Sequence, residues 1–225
     1  MAPTPAELYA AVRARIGDVV REAGPVADAQ PVPACPGWTV AQLVAHLAGA
    51  SAALVARDRP DGDVQAWVDG HLAARAGRTA VDSWAEWERV GPAYERLLER
   101  NEAGYGSLLF DAIVHEDDLR AAVGREPARD PDALAYGLGR LLRRADGIVR
   151  AAGSGTLRLV CAGQVHDIGD GEPVSAWSLP DEWTAVRALA SRRSAAQLAA
   201  LGLDESRRAW LDVLPYALPA DDLEV

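Results

Sequence analysis

The sequence predicts an α+β protein, with an antiparallel helical bundle over residues 1–152 and a small α+β domain over residues 153–225. Three observations carry this prediction. Up to Gly153 the apolar residues recur at three- and four-residue intervals, the period of a helix with one buried face. Most of the segments with that pattern open on Thr or Asp and are followed by Gly or Pro. Beyond Gly153 the period drops to two over Thr156–Cys161, and helical spacing returns only after Leu179.

Taken in order, Thr4-Pro5-Ala6-Glu7 supplies a cap, a proline at the first helical position and a glutamate three residues after the cap. Leu8, Val12, Ile16 and Val19 follow at helical spacing, and Gly24-Pro25 ends the run. A proline-rich connector leads to Trp38. Thr39-Val40-Ala41-Gln42 is a second capping box, opening a helix through Leu43, His46, Leu47 and Leu54 to about Arg57. Residues 59–63 read as a loop and 64–76 as a helix. Thr79–Arg100 reads as a long helix with Val81, Trp84, Trp87, Tyr94 and Leu98 as its buried stripe. Gly104–Ser107 is expected to break it, and Leu108–Val123 forms the next helix. Asp130-Pro131-Asp132 starts another, running through Leu134, Leu138, Leu141, Ile148 and Val149 to Gly153. Thr156–Cys161 and Gln164–Ile168 pair as a hairpin, Gly169-Asp170-Gly171 turns the chain, and Val174–Leu179 is a third strand. Helices over Asp181–Ala190 and Ser206–Leu214 follow, with another between them. The acidic tail, Asp221–Val225, is expected to be loose. There are no internal repeats.

Composition excludes several functions. With 33 acidic and 23 basic residues the net charge is −10, so the chain lacks the basic face that displaces counterions from nucleic acid. An anionic membrane surface repels it for the same reason. Every basic residue is Arg, so lysine Schiff-base chemistry and a phosphate-loop lysine are ruled out. A hydrophobic content of 49% with 25% charged residues excludes a mostly disordered chain. Residues 29–56 carry no charged side chain, but Pro31, Pro33 and Pro36 break the stretch, and Gln42, His46 and Ser51 dilute it. It reads as a buried helix and not as a membrane span. The N-terminus shows neither the basic nor the apolar region of an export signal. Cys35 and Cys161 are therefore expected as free thiols in the cytoplasm. Oligomeric state is not legible.

Two helices carry candidate chemistry. His46 lies among Leu43, Leu47 and Leu54, a setting that suits either a hydrogen-bonded core histidine or a ligand. Asp111 and His115, four residues apart, share one face of the later helix. They form either an ordinary Asp–His pair or, with a histidine from a facing helix, a two-His, one-carboxylate metal set with an open position.

The segment Pro33-Ala34-Cys35-Pro36-Gly37-Trp38-Thr39-Val40-Ala41-Gln42-Leu43-Val44-Ala45-His46-Leu47-Ala48-Gly49 resembles the N-terminal segment of the mycothiol-dependent maleylpyruvate isomerase family. That family lies within the DinB/YfiT-like group of four-helix metalloproteins. A second family motif, a helix with Glu, a His four residues later, then Asp-Leu and a Gly, is matched by Asp111, His115, Asp118-Leu119 and Gly124. The resemblance implies a DinB-like antiparallel four-helix bundle in which His46, Asp111 and His115 hold a divalent metal, usually zinc. One departure stands out: Asp111 occupies the place of a Glu and is one methylene shorter, while wider members of the group have His there. Asp118 is placed to orient the other ring nitrogen of His115, or else to stabilise the helix. Glu116 and Asp117 are expected on a solvated face, Trp38 as a packing residue, Cys35 as a structural residue in preference to a soft ligand, and His71 and His166 on the surface or in loops.

Farther on, 185–192 resembles a helix end whose Arg holds a substrate carboxylate, which would be Arg192; the adjacent Arg193 and the dipole-capping role of a terminal Arg leave other readings open. The activity so implied is that of a metalloenzyme using mycothiol, a low-molecular-weight thiol, as cosubstrate. Its thiolate adds to a cis double bond of a small electrophile, rotation follows, and elimination completes the isomerisation; without elimination the reaction is S-transfer. The alternatives are a DinB-fold binding or structural protein with a degenerate metal site, and a metal-dependent hydrolase.

Overall fold

A computed structural model describes residues 2–223 and is α+β, mostly helical with a small three-stranded sheet in its C-terminal part. The helices are α1 (Pro5–Ala23), α2 (Val40–Val55), α3 (Val64–Ala73), α4 (Ala80–Arg100), α5 (Glu102–Ala122), α6 (Pro131–Ala152), α7 (Glu182–Leu189) and α8 (Ala195–Ala200). The strands are β1 (Thr156–Cys161), β2 (Gln164–Gly169) and β3 (Pro173–Leu179). No helix among the described residues is long and apolar enough to cross a membrane. The chain divides into two compact units between Ala128 and Arg129. The change of period at Gly153 placed the division after α6; the packing places it before.

In the first unit both predicted capping boxes form, and Thr79 and Asp82 close a third at the start of α4. Thr4 and Glu7 close one at the start of α1, and Thr39 and Gln42 the other at the start of α2. Helices α1, α2, α4 and α5 pack on one another, and α3 lies against α2. Ile16, Leu43, Leu47, Leu98, Leu109 and Leu119 fill the interior. Tyr9 and Trp87 bring polar atoms into it, and these are satisfied: Trp87 Nε1 donates to Tyr9 Oη (2.6 Å), which donates to Ser51 Oγ (3.2 Å). One hydrogen-bond chain thus ties α1, α2 and α4. The expected stripe on α4 begins later than Val81, which is exposed.

The break expected at Gly104–Ser107 is absent, because α5 already begins at Glu102. Asn101 ends α4 and caps α5, its side chain accepting from Gly104 N at 3.0 Å. A capped first turn and the packing of buried Gly106 outweigh the poor helix propensity of glycine there.

In the second unit the sheet order is β2-β1-β3. β1 and β2 form the expected antiparallel hairpin across Ala162-Gly163, both with positive φ (48° and 78°), as a two-residue turn of matching twist requires. β3 runs parallel to β1. Leu157, Leu159, Ile168 and Trp177 face its core. α6 packs against β2, with Asp146 accepting from Gly169 N at 2.8 Å. The segment Glu205–Val213 is a 3-10 helix where an α-helix was expected. The tail as far as Leu223 is tied down and not loose: Gln197 donates to Leu223 O (2.8 Å) and accepts from Leu223 N (3.2 Å). The expectation for Glu224 and Val225 lies outside the described residues.

Candidate metal centre

A tight loop precedes α2. Pro31 bridges Thr39, Val32 N donates to Trp38 O (2.9 Å), and Trp38 N donates to Cys35 O (3.0 Å). Between those last two residues stand Pro36 and Gly37, and Gly37 has φ +85°, the conformation that a type II turn requires at its third position. The turn sets Trp38 over the first turns of α2. Its ring centroid lies 5.0 Å from that of His46 and 6.1 Å from that of His115.

α2 presents His46 and α5 presents Asp111 and His115, all from the first unit. Asp111 Oδ2 lies 2.7 Å from His46 Nε2, and Asp111 Oδ1 lies 3.4 Å from His115 Nε2. One carboxylate therefore links two imidazoles standing nearly perpendicular, their centroids 5.4 Å apart. The short Asp side chain reaches both imidazoles in this geometry. Both rings are buried, whereas the Asp111 side chain keeps 31% of its surface open. On the other side of His115, Nδ1 lies 3.0 Å from Asp118 Oδ2. Cys35 Sγ sits 3.7 Å from both of those atoms.

The charges are strongly coupled. Burial by itself raises the Asp111 pKa, but His115 and His46 outweigh it and hold the carboxyl well below its usual range. Burial likewise lowers the His115 pKa, and the Asp111 carboxylate overrides it, raising the imidazole well above its ordinary value.

The donor set fits a divalent metal. Bonds of about 2.0–2.2 Å at a tetrahedral centre separate donors by about 3.3–3.6 Å, and one donor atom each from His46, Asp111 and His115 lie within 4.8 Å of one another. His46 Nδ1 is buried and makes no hydrogen bond among the described residues. Nothing there fixes the tautomer that leaves Nε2 as donor or as ligand.

Glu116 and Asp117 are not on a solvated face. Both are buried, because α5 packs on α1, α2 and α4. Glu116 is neutralised by Arg15 (2.8 Å) and Arg120 (3.1 Å), and Asp117 accepts from Ala128 N at 2.8 Å. His71 lies on α3, half-buried with its ring 4.3 Å from that of Trp67, and His166 lies on β2; neither is in a loop.

Arg192 belongs to the second unit, just past α7. It is buried, its Nη1 donates to Ala190 O (3.3 Å), and its guanidinium lies 6.0 Å from the Tyr216 ring. Ser191 adopts φ +59°, the left-handed conformation that closes many helices. Arg193 beside it is equally buried. Thus His46, Asp111, His115 and Asp118 come together within the first unit, with Trp38 and Cys35 beside them. The sequence gives Trp38 a packing role, and for Cys35 it favours a structural role over that of a soft ligand.

Residues 9–167 match the family described as the mycothiol maleylpyruvate isomerase N-terminal domain. No curated protein and no solved structure matches the chain.

Proposed function

We propose, for a chain that belongs to the mycothiol maleylpyruvate isomerase N-terminal domain family, a zinc-dependent isomerase or thiol S-transferase that uses mycothiol and acts on a small electrophile. The observation that carries this reading is the Asp111 carboxylate set between the Nε2 atoms of His46 and His115. These three residues would hold the divalent ion, within a unit arranged as a DinB-like four-helix bundle. Such an ion, when bound, supplies a Lewis acid that lowers the pKa of a thiol or water and polarises a carbonyl.

The chain's own residues prepare the site. Asp118 accepts the Nδ1 proton of His115 and so directs Nε2 toward Asp111. Trp38 lies against both imidazoles and shields them from water on that side. Arg192 enters as the group for a substrate carboxylate, supported by the likeness of 185–192 to a substrate-binding helix end.

Metal analysis of the purified chain, with thiol-dependent turnover of a cis-alkene electrophile, tests the reading. About one zinc per chain is expected, lost in His46→Ala and in His115→Ala, with turnover only when mycothiol is present. A chain that binds no divalent metal sinks the reading. Turnover without thiol favours a hydrolase instead.

The Asp111–His46 contact also fits a second reading, a DinB-fold binding protein whose site is closed by an ion pair. Asp111→Glu separates the two: zinc affinity gained only on restoring Glu favours the binding protein.

A further inference from the structure

His115 is claimed from both sides. Its Nε2 faces Asp111 and His46, whereas its Nδ1 faces Asp118 and Cys35. The second triad has Sγ–Nδ1 3.7 Å, Sγ–Oδ2 3.7 Å and Nδ1–Oδ2 3.0 Å. A tetrahedral ion with bonds of about 2.3 Å to sulfur and about 2.0–2.1 Å to nitrogen and oxygen separates its donors by about 3.3–3.6 Å. The three atoms thus stand within a few tenths of an ångström of the spacing one metal imposes. At 3.7 Å the sulfur makes only long hydrogen bonds, so those bonds are weak reasons for its position. The loop fixes that position: Cys35 N donates to Val32 O (2.9 Å), and Cys35 O accepts from Trp38 N. Asp118 is fully buried and Cys35 half-buried, so the triad has one open side.

We infer that Cys35, His115 and Asp118 form a second metal site, selective for soft, thiolate-seeking ions, that shares His115 with the first. Thiolate favours ions such as cadmium or monovalent copper, while the imidazole–carboxylate set lacks a soft donor. A neutral imidazole carries one lone pair, so occupancy is exclusive. When the metal is on Nε2, Nδ1 carries the proton and donates it to Asp118. When the metal is on Nδ1, Nε2 carries the proton and donates it to Asp111. The two carboxylates exchange the roles of ligand and orienting acceptor, and an imidazole ring that need not move selects between them. Binding at the thiolate site releases the Cys35 proton to solvent and involves no redox change.

The experiment is a titration of the chelator-stripped full chain with Cd2+, read by thiolate-to-metal charge-transfer absorption in the ultraviolet. One equivalent of cadmium is expected to give the band. It should persist in Cys161→Ser and in His46→Ala and vanish in Cys35→Ser and His115→Ala, and prior zinc should suppress it. Cadmium bound without a thiolate band, or a band that survives Cys35→Ser, overturns the inference. Should Cys35→Ser fail to fold, Cys161→Ser and His46→Ala still decide: loss of the band in either overturns it. Failure here is separable from failure of the zinc reading. Zinc bound with no cadmium–thiolate band leaves the first site standing alone. A thiolate band indifferent to His46→Ala, in a chain that holds no zinc, leaves only the second. No binding of either ion overturns both.

Discussion

Asp118 Oδ2 lies 3.0 Å from His115 Nδ1, one turn farther along α5 and wholly out of solvent. A buried carboxylate in that place fixes both the tautomer and the ring angle of the imidazole, leaving Nε2 to face Asp111. Asp118→Asn keeps the shape but can present its amide N–H to Nδ1, which favours the opposite tautomer. Zinc affinity is expected to fall about 10- to 100-fold, measured by competition with a chromophoric chelator, with helicity by circular dichroism unchanged. Affinity equal to that of the natural chain would remove Asp118 from the site's design.

The coupling of Asp111 and His115 has a sign that pH can test. His115 has its pKa raised by Asp111, so in the metal-free chain it stays protonated well above about 6.5, the unperturbed imidazole value. Zinc must displace that proton. Its affinity is therefore expected to rise about tenfold per pH unit from neutrality until the raised pKa is passed, and then to level. In Asp111→Asn the levelling should come at lower pH. The stability of the metal-free chain runs the other way: the His115 contribution is complete below about 6.5 and is lost as pH rises through the raised value. Asp111, whose pKa is depressed, contributes above about 3.9 and loses its contribution as the medium becomes strongly acid. Thermal unfolding midpoints against pH, for the natural chain and Asp111→Asn, check both limbs.

What could be read from the residues followed the range of the interactions. Both capping boxes are local, and Thr4/Glu7 and Thr39/Gln42 announce them within four residues. Asp111 and His115 are also local, since helix geometry places residues four apart on one face. Cys35 is different, because its neighbours His115 and Asp118 are 80 and 83 residues away and meet it only through the turn at Gly37. Glu116 was misread for the same reason: its partner Arg15 is 101 residues distant, and without it a mid-helix glutamate belongs outside. The start of α5 depended on a single capping residue, Asn101, against two nearby glycines. The boundary between units was hidden because α6 packs with the sheet while its sequence looks like the helices before it.

Glu116 itself carries a stability prediction. Its carboxylate receives Arg15 from α1 and Arg120 from its own helix, and only 2% of its side chain is exposed. Removing it leaves two partly buried guanidinium groups without their acceptor. Glu116→Ala is expected to cost about 3 kcal/mol, in the range for breaking one side of a buried ion pair, read by urea denaturation. Because the pair docks α5 on α1 next to His115, zinc affinity should weaken as well. A loss below about 1 kcal/mol would mean that the arginines find water at little cost, as exposed pairs do.

The two thiols should differ in reactivity. Burial, with Glu182 and Asp181 nearby, pushes the Cys161 thiol up to about 11. At pH 8 only on the order of one molecule in a thousand then carries the reactive thiolate, because each pH unit below the pKa reduces that fraction tenfold. Cys161 also faces the core of the second unit, where β1 is covered on that side. Cys35 is half-buried, at the end of a turn. Iodoacetamide at pH 8 is therefore expected to label the native chain once, at Cys35, and twice after denaturation, as peptide mass spectrometry would show. Label on Cys161 in the native chain would mean that the second unit opens on the timescale of the reaction, and hydrogen exchange across β1 should then be correspondingly fast.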